Sequence, residues 1–203
     1  PGVREAVAAV WDAGLGNPSG AHRLARAARR RLDDARDEVA GVLGCEPGEV
    51  VLTSGGTESD NLAVLGAGAA RPACSAAEHH AVLHAVEAAG GVVVGVDRCG
   101  RVDLDALAAA GADLVSVMLV NNEVGTINEL PAVDAVLHTD AVQAVTWLDV
   151  ATAAARADLV SVTAHKIGGP QGCGALVVRD GVAVDPLLVG GGQEQERRSG
   201  THN

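Results

Sequence analysis

Tyrosine and phenylalanine are absent from the 203 residues, and methionine and lysine occur once each, as Met118 and Lys166. A core without those rings has to be built from Val, Leu and Ala, with Trp11 and Trp147 the only large aromatic side chains on offer. No run approaches the roughly 18 to 20 consecutive apolar residues of a spanning helix, and no basic-then-apolar leader opens the chain, so neither a membrane nor a secretory role is expected. Cys45, Cys74, Cys99 and Cys173 form no CxxC pair, which argues against a zinc cluster or a disulfide framework. A reducing, cytoplasmic setting and no metal are the expectation. Positive charge is scarce too: 15 Lys and Arg face 26 Asp and Glu, a formal charge of −11, which disfavours a nonspecific grip on nucleic acid. The chain opens with Pro1 and reads as a fragment of a longer one.

The scarcity of lysine is the sharpest of these absences. Fourteen Arg stand beside the single Lys166. Arginine serves wherever only positive charge is needed, but it cannot supply a deprotonatable primary amine. Lys166 is therefore a candidate for amine chemistry, with a plain surface lysine as the alternative.

What is present is organised as an α/β chain. Residues 20–43 place Leu24, Ala28, Leu32, Val39 and Val42 near one helical stripe. Arg29, Arg30 and Arg31 precede Asp33, Asp34, Asp37 and Glu38 at spacings that allow i,i+3 and i,i+4 pairs on a solvated face. From Glu49 onward, short Val/Leu runs alternate with Ala-rich helical stretches, the pattern of a mostly parallel central sheet with helices on both faces. Strands are predicted at 50–53, 92–96, 114–119, 136–139, 159–162 and 175–178. Helices are predicted to start near Thr57, Glu78, Asp103 and Ala151. The division expected is an N-terminal helical segment, 1–48, and a larger domain, 49–203.

One interval breaks the pattern. A parallel crossover needs about a dozen residues or more, including its helix, yet the stretch between Leu119 and Val136 is mostly polar loop. A helix is missing there, which suggests that residues have been lost near Pro131 to Asp134, and in the short stretch Ala70 to Cys74 as well.

Three segments carry chemistry. Residues 50–61, VVLTSGGTESDN, run from a strand through Ser54-Gly55-Gly56 into a helix near Thr57. Free N–H groups and the positive helix end then face one point, a cradle for phosphate that is neither GxxxxGK[ST] nor GxGxxG. Residues 138–143, HTDAVQ, put Asp140 at a strand end, where open α/β sheets bind ligands. Residues 163–176 follow a strand and place Lys166 beside His165 on a glycine-rich turn. Each has an ordinary alternative: a structural turn, a loop acid, a surface lysine. Together they match the needs of pyridoxal 5′-phosphate, with Lys166 forming the Schiff base, Asp140 keeping the pyridine nitrogen protonated and the helix end at Thr57 holding the phosphate.

TSGGTESDNLA, AEHHAVLHA, NNEVGTI, HTDAVQA, TAHKIGGPQGCGALVV and GGGQEQERRSGTHN resemble, in order, the motifs of the cysteine desulfurase family. Those are fold-type I enzymes similar to class-V aminotransferases. The resemblance implies that Gly56 and Thr57 bind the cofactor phosphate and that His79 stacks on the pyridine ring and shuttles protons. It implies that Asn122 and Gln143 hydrogen-bond around the ring hydroxyl, with Asn121 an alternative to Asn122. Asp140 would meet the ring nitrogen, Thr163 and His165 would complete the phosphate site, and Lys166 would be catalytic with His79. Thr201 would reach the phosphate of a neighbouring subunit, which makes a homodimer the expected form. Read without the resemblance, His79 and His80 are exposed histidines at a helix start, Gln143 is a loop residue and Thr201 a chain end.

The implied activity is removal of sulfur from L-cysteine, giving alanine and an enzyme persulfide for transfer to an acceptor or scaffold protein in iron–sulfur cluster assembly. A selenocysteine lyase, a cysteine sulfinate desulfinase and a noncatalytic partner subunit are the alternatives. The family chain starts with a strand and substrate loop ahead of the point where this one begins. It continues past RSGT into a small domain carrying the nucleophilic cysteine and the arginine for the substrate carboxylate. This chain is therefore expected to lack that small domain and to be incomplete for turnover. Cys45, Cys99 and Cys173 stand where the family varies, and only Cys173, close to the Lys166 loop, is a candidate reactive thiol.

Overall fold

The computed structural model describes residues 2–202. Helix α1, Gly2–Asp12, buries none of its side chains. Helix α2, Arg23–Leu43, is capped by His22, whose Nδ1 accepts the Ala25 N–H at 3.2 Å, and ends at Gly44 in the left-handed conformation. Its buried side is Ala25, Ala28, Arg36, Ala40 and Leu43. That differs from the expected stripe: Leu24 and Val42 are exposed, because the face that meets the sheet is chosen by small residues and by Arg36. Of the anticipated surface ion pairs, Arg29–Asp33 forms, at 2.8 Å.

The remaining elements alternate as expected. They are β1 (Val50–Thr53), α3 (Gly56–Gly66), β2 (Pro72–Ser75), α4 (His80–Ala88), β3 (Val92–Val94), α5 (Leu104–Ala109), β4 (Leu114–Ser116), β5 (Val136–Asp140), α6 (Val150–Ala153), β6 (Leu159–Thr163) and β7 (Gly174–Val178). They make one seven-stranded sheet in the order β1-β7-β6-β5-β4-β2-β3. Strand β7 runs antiparallel to both its neighbours, and the other pairings are parallel. Strands 92–96 and 114–119 are shorter than expected, and β2 was not foreseen.

Because side chains alternate across a strand, each central strand feeds two cores. Leu114, Leu159 and Leu176 pack with Leu62 and Val64 of α3 and Val82 and Val86 of α4. Val115, Val160 and Val177 point the other way, to Leu43 of α2, Leu107 of α5 and Val150 of α6. Helices thus cover both faces. The two tryptophans take no part: Trp11 is 79% and Trp147 77% exposed, whereas the ring of His138 is sealed inside.

The crossover from β4 to β5, residues 117–135, has no helix, as the polar sequence indicated. The backbone runs through there and through 70–74 with no cis peptide bond among the described residues. A groove of about 790 Å³ lies beside the crossover, bounded by Val133, Leu137 and Arg156.

The C-terminal segment returns to the start of the sheet. Strands β8 (Gly192–Gln193) and β9 (Arg198–Ser199) form a short antiparallel pair around Glu194, Gln195 and Glu196, all three with positive φ. What holds this turn is Glu194, whose side chain is fully buried. It binds Arg36 through two hydrogen bonds of 2.7 and 2.9 Å, accepts the Leu52 N–H at 2.9 Å and meets His202 Nδ1 at 2.7 Å. Arg36 also donates to the Val50 carbonyl. One carboxylate therefore joins α2, β1 and the C-terminal turn. Burial works against its charge, but Arg36 and the Leu52 N–H together hold its pKa below the usual carboxylate range.

Removing one partner of a buried pair strands the other charge, so Glu194→Gln is expected to cost about 3 to 5 kcal/mol at neutral pH, read by urea unfolding. A depressed pKa means that this contribution is present at neutral pH and fades as the solution is acidified through the carboxylate range, so wild type and variant should converge there. Glu196 holds φ 66° with a Cβ. Glu196→Gly should therefore raise stability, by about 1 kcal/mol in the same measurement.

Candidate active site

A cavity of about 390 Å³ opens at the ends of β1, β5 and β6, the C-terminal edge of the parallel strands. Its first wall is the turn from β1 into α3. Gly55 has φ +149°, and a side chain on Gly174 would sit 2.6 Å from the Gly55 backbone, so this turn can only close between two glycines. A Cβ on Gly56 would lie 2.9 Å from Val142 Cγ2. The first turn of α3 is left with backbone N–H groups at Gly56 and Thr57 facing the cavity. Glu58 sets this turn from behind. It accepts the Ser54 N–H at 2.6 Å and pairs with Arg198 at 2.6 Å. Burial opposes its charge, yet Arg198 and Ser54 keep its carboxyl below the usual range.

The second wall comes from the end of β6. Thr163 is buried, its Oγ1 donating to the Cys173 carbonyl at 3.2 Å and lying 3.0 Å from His165 Nδ1. A single hydroxyl proton spent on Cys173 leaves Thr163 accepting from His165 Nδ1. Lys166 follows on an exposed turn that lines the cavity, and it forms no ion pair among the described residues.

The third wall is His79 and Asn122. His79 caps α4, its Nδ1 accepting the Ala81 N–H at 3.1 Å, which places any proton of the neutral ring on Nε2. Asn121 is tied into its own turn by the Glu123 and Val124 N–H groups and by the Ala77 carbonyl, whereas Asn122 is exposed and borders the cavity. Geometry thus separates the two. Gln143 borders it too, half-buried.

The floor is acidic. Asp140 ends β5 and is 3% exposed, with Oδ1 accepting the Val142 N–H at 2.8 Å. Burial raises its pKa, while Val142, His79 and Lys166 pull it back. Around it lie residues that sequence reasoning did not single out: Asp60 of α3, which also borders the cavity, and Glu78, Ser116, His138 and Ser161, each buried. Glu78 accepts the Met118 N–H at 2.6 Å and the Ser75 hydroxyl at 3.1 Å. His138 has Ser116 Oγ at 2.8 Å from Nδ1 and Ser161 Oγ at 3.0 Å from Nε2. Burial pushes the His138 pKa down to about 3, so the ring is neutral. Their immediate neighbours, Ser59 and Asn61 beside Asp60 and Ala77 and His79 beside Glu78, gave no signal of burial.

Nine of the ten residues singled out from the sequence border this one cavity: Gly56, Thr57, His79, Asn122, Asp140, Gln143, Thr163, His165 and Lys166. Thr201 does not; it is exposed, at the end of the C-terminal turn. None of the four cysteines lines the cavity. The arrangement provides anion-binding N–H groups at one end, a buried carboxylate at the other and a primary amine between the two in the lining.

Burial, reinforced by the charge of Asp140, outweighs the donors around Glu78 and pushes its pKa up to about 8. A raised pKa favours the folded state below the ordinary carboxylate range and withdraws that favour as pH climbs through the folded value. Between about pH 5 and pH 9 the wild type should therefore lose more stability than Glu78→Gln in urea unfolding. Parallel pH curves for the two would place an ionised Glu78 in the fold.

The sequence pattern of the family described as aminotransferase class-V matches residues 1–202. The chain is 40% identical to a cysteine desulfurase IscS of Methanosarcina thermophila, over 222 aligned positions covering 99% of this chain and 55% of that protein. Against 203 residues, those 222 positions leave at least 19 opposite gaps in this chain. Among solved structures, a NifS-like protein from Rickettsia africae is 31% identical, with a TM-score of 0.90 over all of this chain and 61% of its own. A structure described as SspA in complex with cysteine is 34% identical, with a TM-score of 0.83 over 92% of this chain and 60% of its own. The chain spans a little over half the length of the curated relatives it matches. With a family pattern that extends along the described fold from end to end, the chain belongs to the class-V aminotransferase family.

Proposed function

We propose that this chain supplies the pyridoxal 5′-phosphate site of a cysteine desulfurase acting on L-cysteine. One observation carries the reading: the glycine cradle at Gly55–Thr57, the carboxylate of Asp140 and the amine of Lys166 border a single cavity. The donor set fits the group, with the N–H groups of the first turn of α3 for a phosphate, a buried acid for a ring nitrogen and an amine for an aldehyde. The names of the relatives support the choice of substrate.

When bound, pyridoxal phosphate supplies an electron-accepting ring for bond breaking at an amino acid's α-carbon. The protein's own part is positional and electrostatic. Gly56 and Thr57, with His165 held in place by Thr163, would bind the phosphate at the positive end of α3. Asp140 holds a proton at the ring nitrogen, a task that burial strengthens because its charge is poorly screened there. His79 covers the ring, and Asn122 and Gln143 orient it. Lys166 anchors the aldehyde and, when released, is the amine able to move the substrate's α-proton. Since no cysteine borders the cavity, the sulfur-accepting thiolate has to come from outside it.

The working form on this reading is a cytoplasmic homodimer in which Thr201, exposed and away from its own chain's cavity, reaches the partner's phosphate. Sulfur would pass to an acceptor or scaffold protein in iron–sulfur cluster assembly.

Adding pyridoxal phosphate to the purified chain should produce a visible absorption band, and borohydride reduction followed by peptide mass mapping should find the label on Lys166. Lys166→Ala should lose both band and label, and Asp140→Asn should keep the label while shifting the band. A label spread over other amines, or none on Lys166, would overturn the assignment.

A further inference from the structure

The floor of the cavity holds more acid than its cations can balance. Three buried carboxyl groups, Asp60, Glu78 and Asp140, come together from α3, the turn before α4 and the end of β5. The ring among them, His138, is neutral and bonded through both nitrogens to serine hydroxyls. The groups on this side able to carry positive charge are Lys166, His79 and His165, which border the cavity together with Asp60 and Asp140.

Asp60 and Asp140 are not equivalent in this cluster. Asp140 receives the Val142 N–H at 2.8 Å and feels Lys166 and His79. Asp60, 1% exposed, has an Oδ1 with no hydrogen-bond partner, 3.7 Å from His138 Nε2. Its other neighbours are Ser161, the one group favouring its charge, and the carboxyls of Asp140 and Glu78, which oppose it. Two acids in one dry site cannot both ionise without a counter-charge, and the one with donors and cations takes the charge. We propose that Asp60 is a positioning residue held as the un-ionised acid beside Asp140, so that the pair carries a single negative charge and keeps it on Asp140 at the cavity. Burial raises the pKa of both groups, and for Asp60 the charges of Asp140 and Glu78 act in the same direction as the geometry.

Only the purpose of that charge rests on the pyridoxal phosphate reading; the protonation of Asp60 does not. A role follows that mere packing would not give. Ionisation of Asp60 at alkaline pH places a second charge at the cavity, so Asp60 sets the alkaline limb of whatever Asp140 controls. Asp60→Asn keeps the shape of the neutral acid and removes that limb.

The first test uses the chain without cofactor. Infrared spectra between neutral and alkaline pH should show the carbonyl stretch of an un-ionised acid at pH 7, reduced in Asp60→Asn. Glu78 contributes equally to both proteins and cancels in the difference. In Asp140→Asn the Asp60 band should disappear at lower pH than in wild type, because one repelling charge is gone. Should Asp60→Asn fail to fold, ¹³C-carboxyl aspartate in the wild-type chain separates the aspartate band from that of Glu78 without mutation. A spectrum at pH 7 without un-ionised aspartate, or one unchanged by Asp60→Asn, overturns the proposal. The second test adds pyridoxal phosphate: Asp60→Asn should retain the visible band and lose its alkaline transition, and an alkaline transition unchanged from wild type defeats the proposed role. A chain that shows the infrared signal but takes up no cofactor refutes the cofactor reading and leaves Asp60 assigned.

Discussion

Charge without water governs this fold's working end. The parallel strands stop at one edge, and the side chains that follow their last residues converge where solvent is largely excluded. Carboxyl groups brought there must find donors, find cations or keep their protons. Asp140 finds the first two, Glu194 finds Arg36, and Asp60 has only Ser161, with one oxygen left without a partner. The different fates of three acids, each buried by the same packing, decide which of them is free to act at the cavity.

The cradle opposite depends on the absence of side chains rather than on their charge. The β1–α3 turn passes so close to β7 that Gly174 has no room for a Cβ, while Gly55 is required by its positive φ. That approach aims the first turn of α3 into the cavity. Glu58 and Arg198 then lock the turn from outside, which couples the cradle to the C-terminal segment. The same segment is bound to α2 through Glu194. Helix α2, the cradle and the exposed Thr201 are thus parts of one connected scaffold.

Much of the sheet was legible because short Val/Leu runs bounded by Gly and Asp are strongly patterned. Strand β2 escaped notice because Pro72-Ala73-Cys74-Ser75 has no β-branched residue, and it is a strand only through its neighbours β3 and β4. The stripe on α2 was misread for a related reason. Leu24 and Val42 are the apolar residues by type, but the close approach to the sheet suits alanine, and Arg36 is buried because Glu194, 158 residues later, neutralises it. The tryptophans were assigned to the core for want of other rings, while the alternating Val and Leu of seven strands fill that space without them.

The sequence by itself determined the class of fold, the strand-to-helix turn at Gly55–Thr57, the strand-end acid Asp140 and the singular amine Lys166, because each is a local pattern or a residue type that chemistry cannot replace. Only the tertiary structure decided that these lie on one cavity, that Asn122 rather than Asn121 faces it, and that Asp60, Glu78 and His138 are buried around Asp140. Those outcomes turn on burial and on partners distant in sequence. Whether a carboxyl group keeps its proton depends on what surrounds it in space, and that is known only once the strands have been placed side by side.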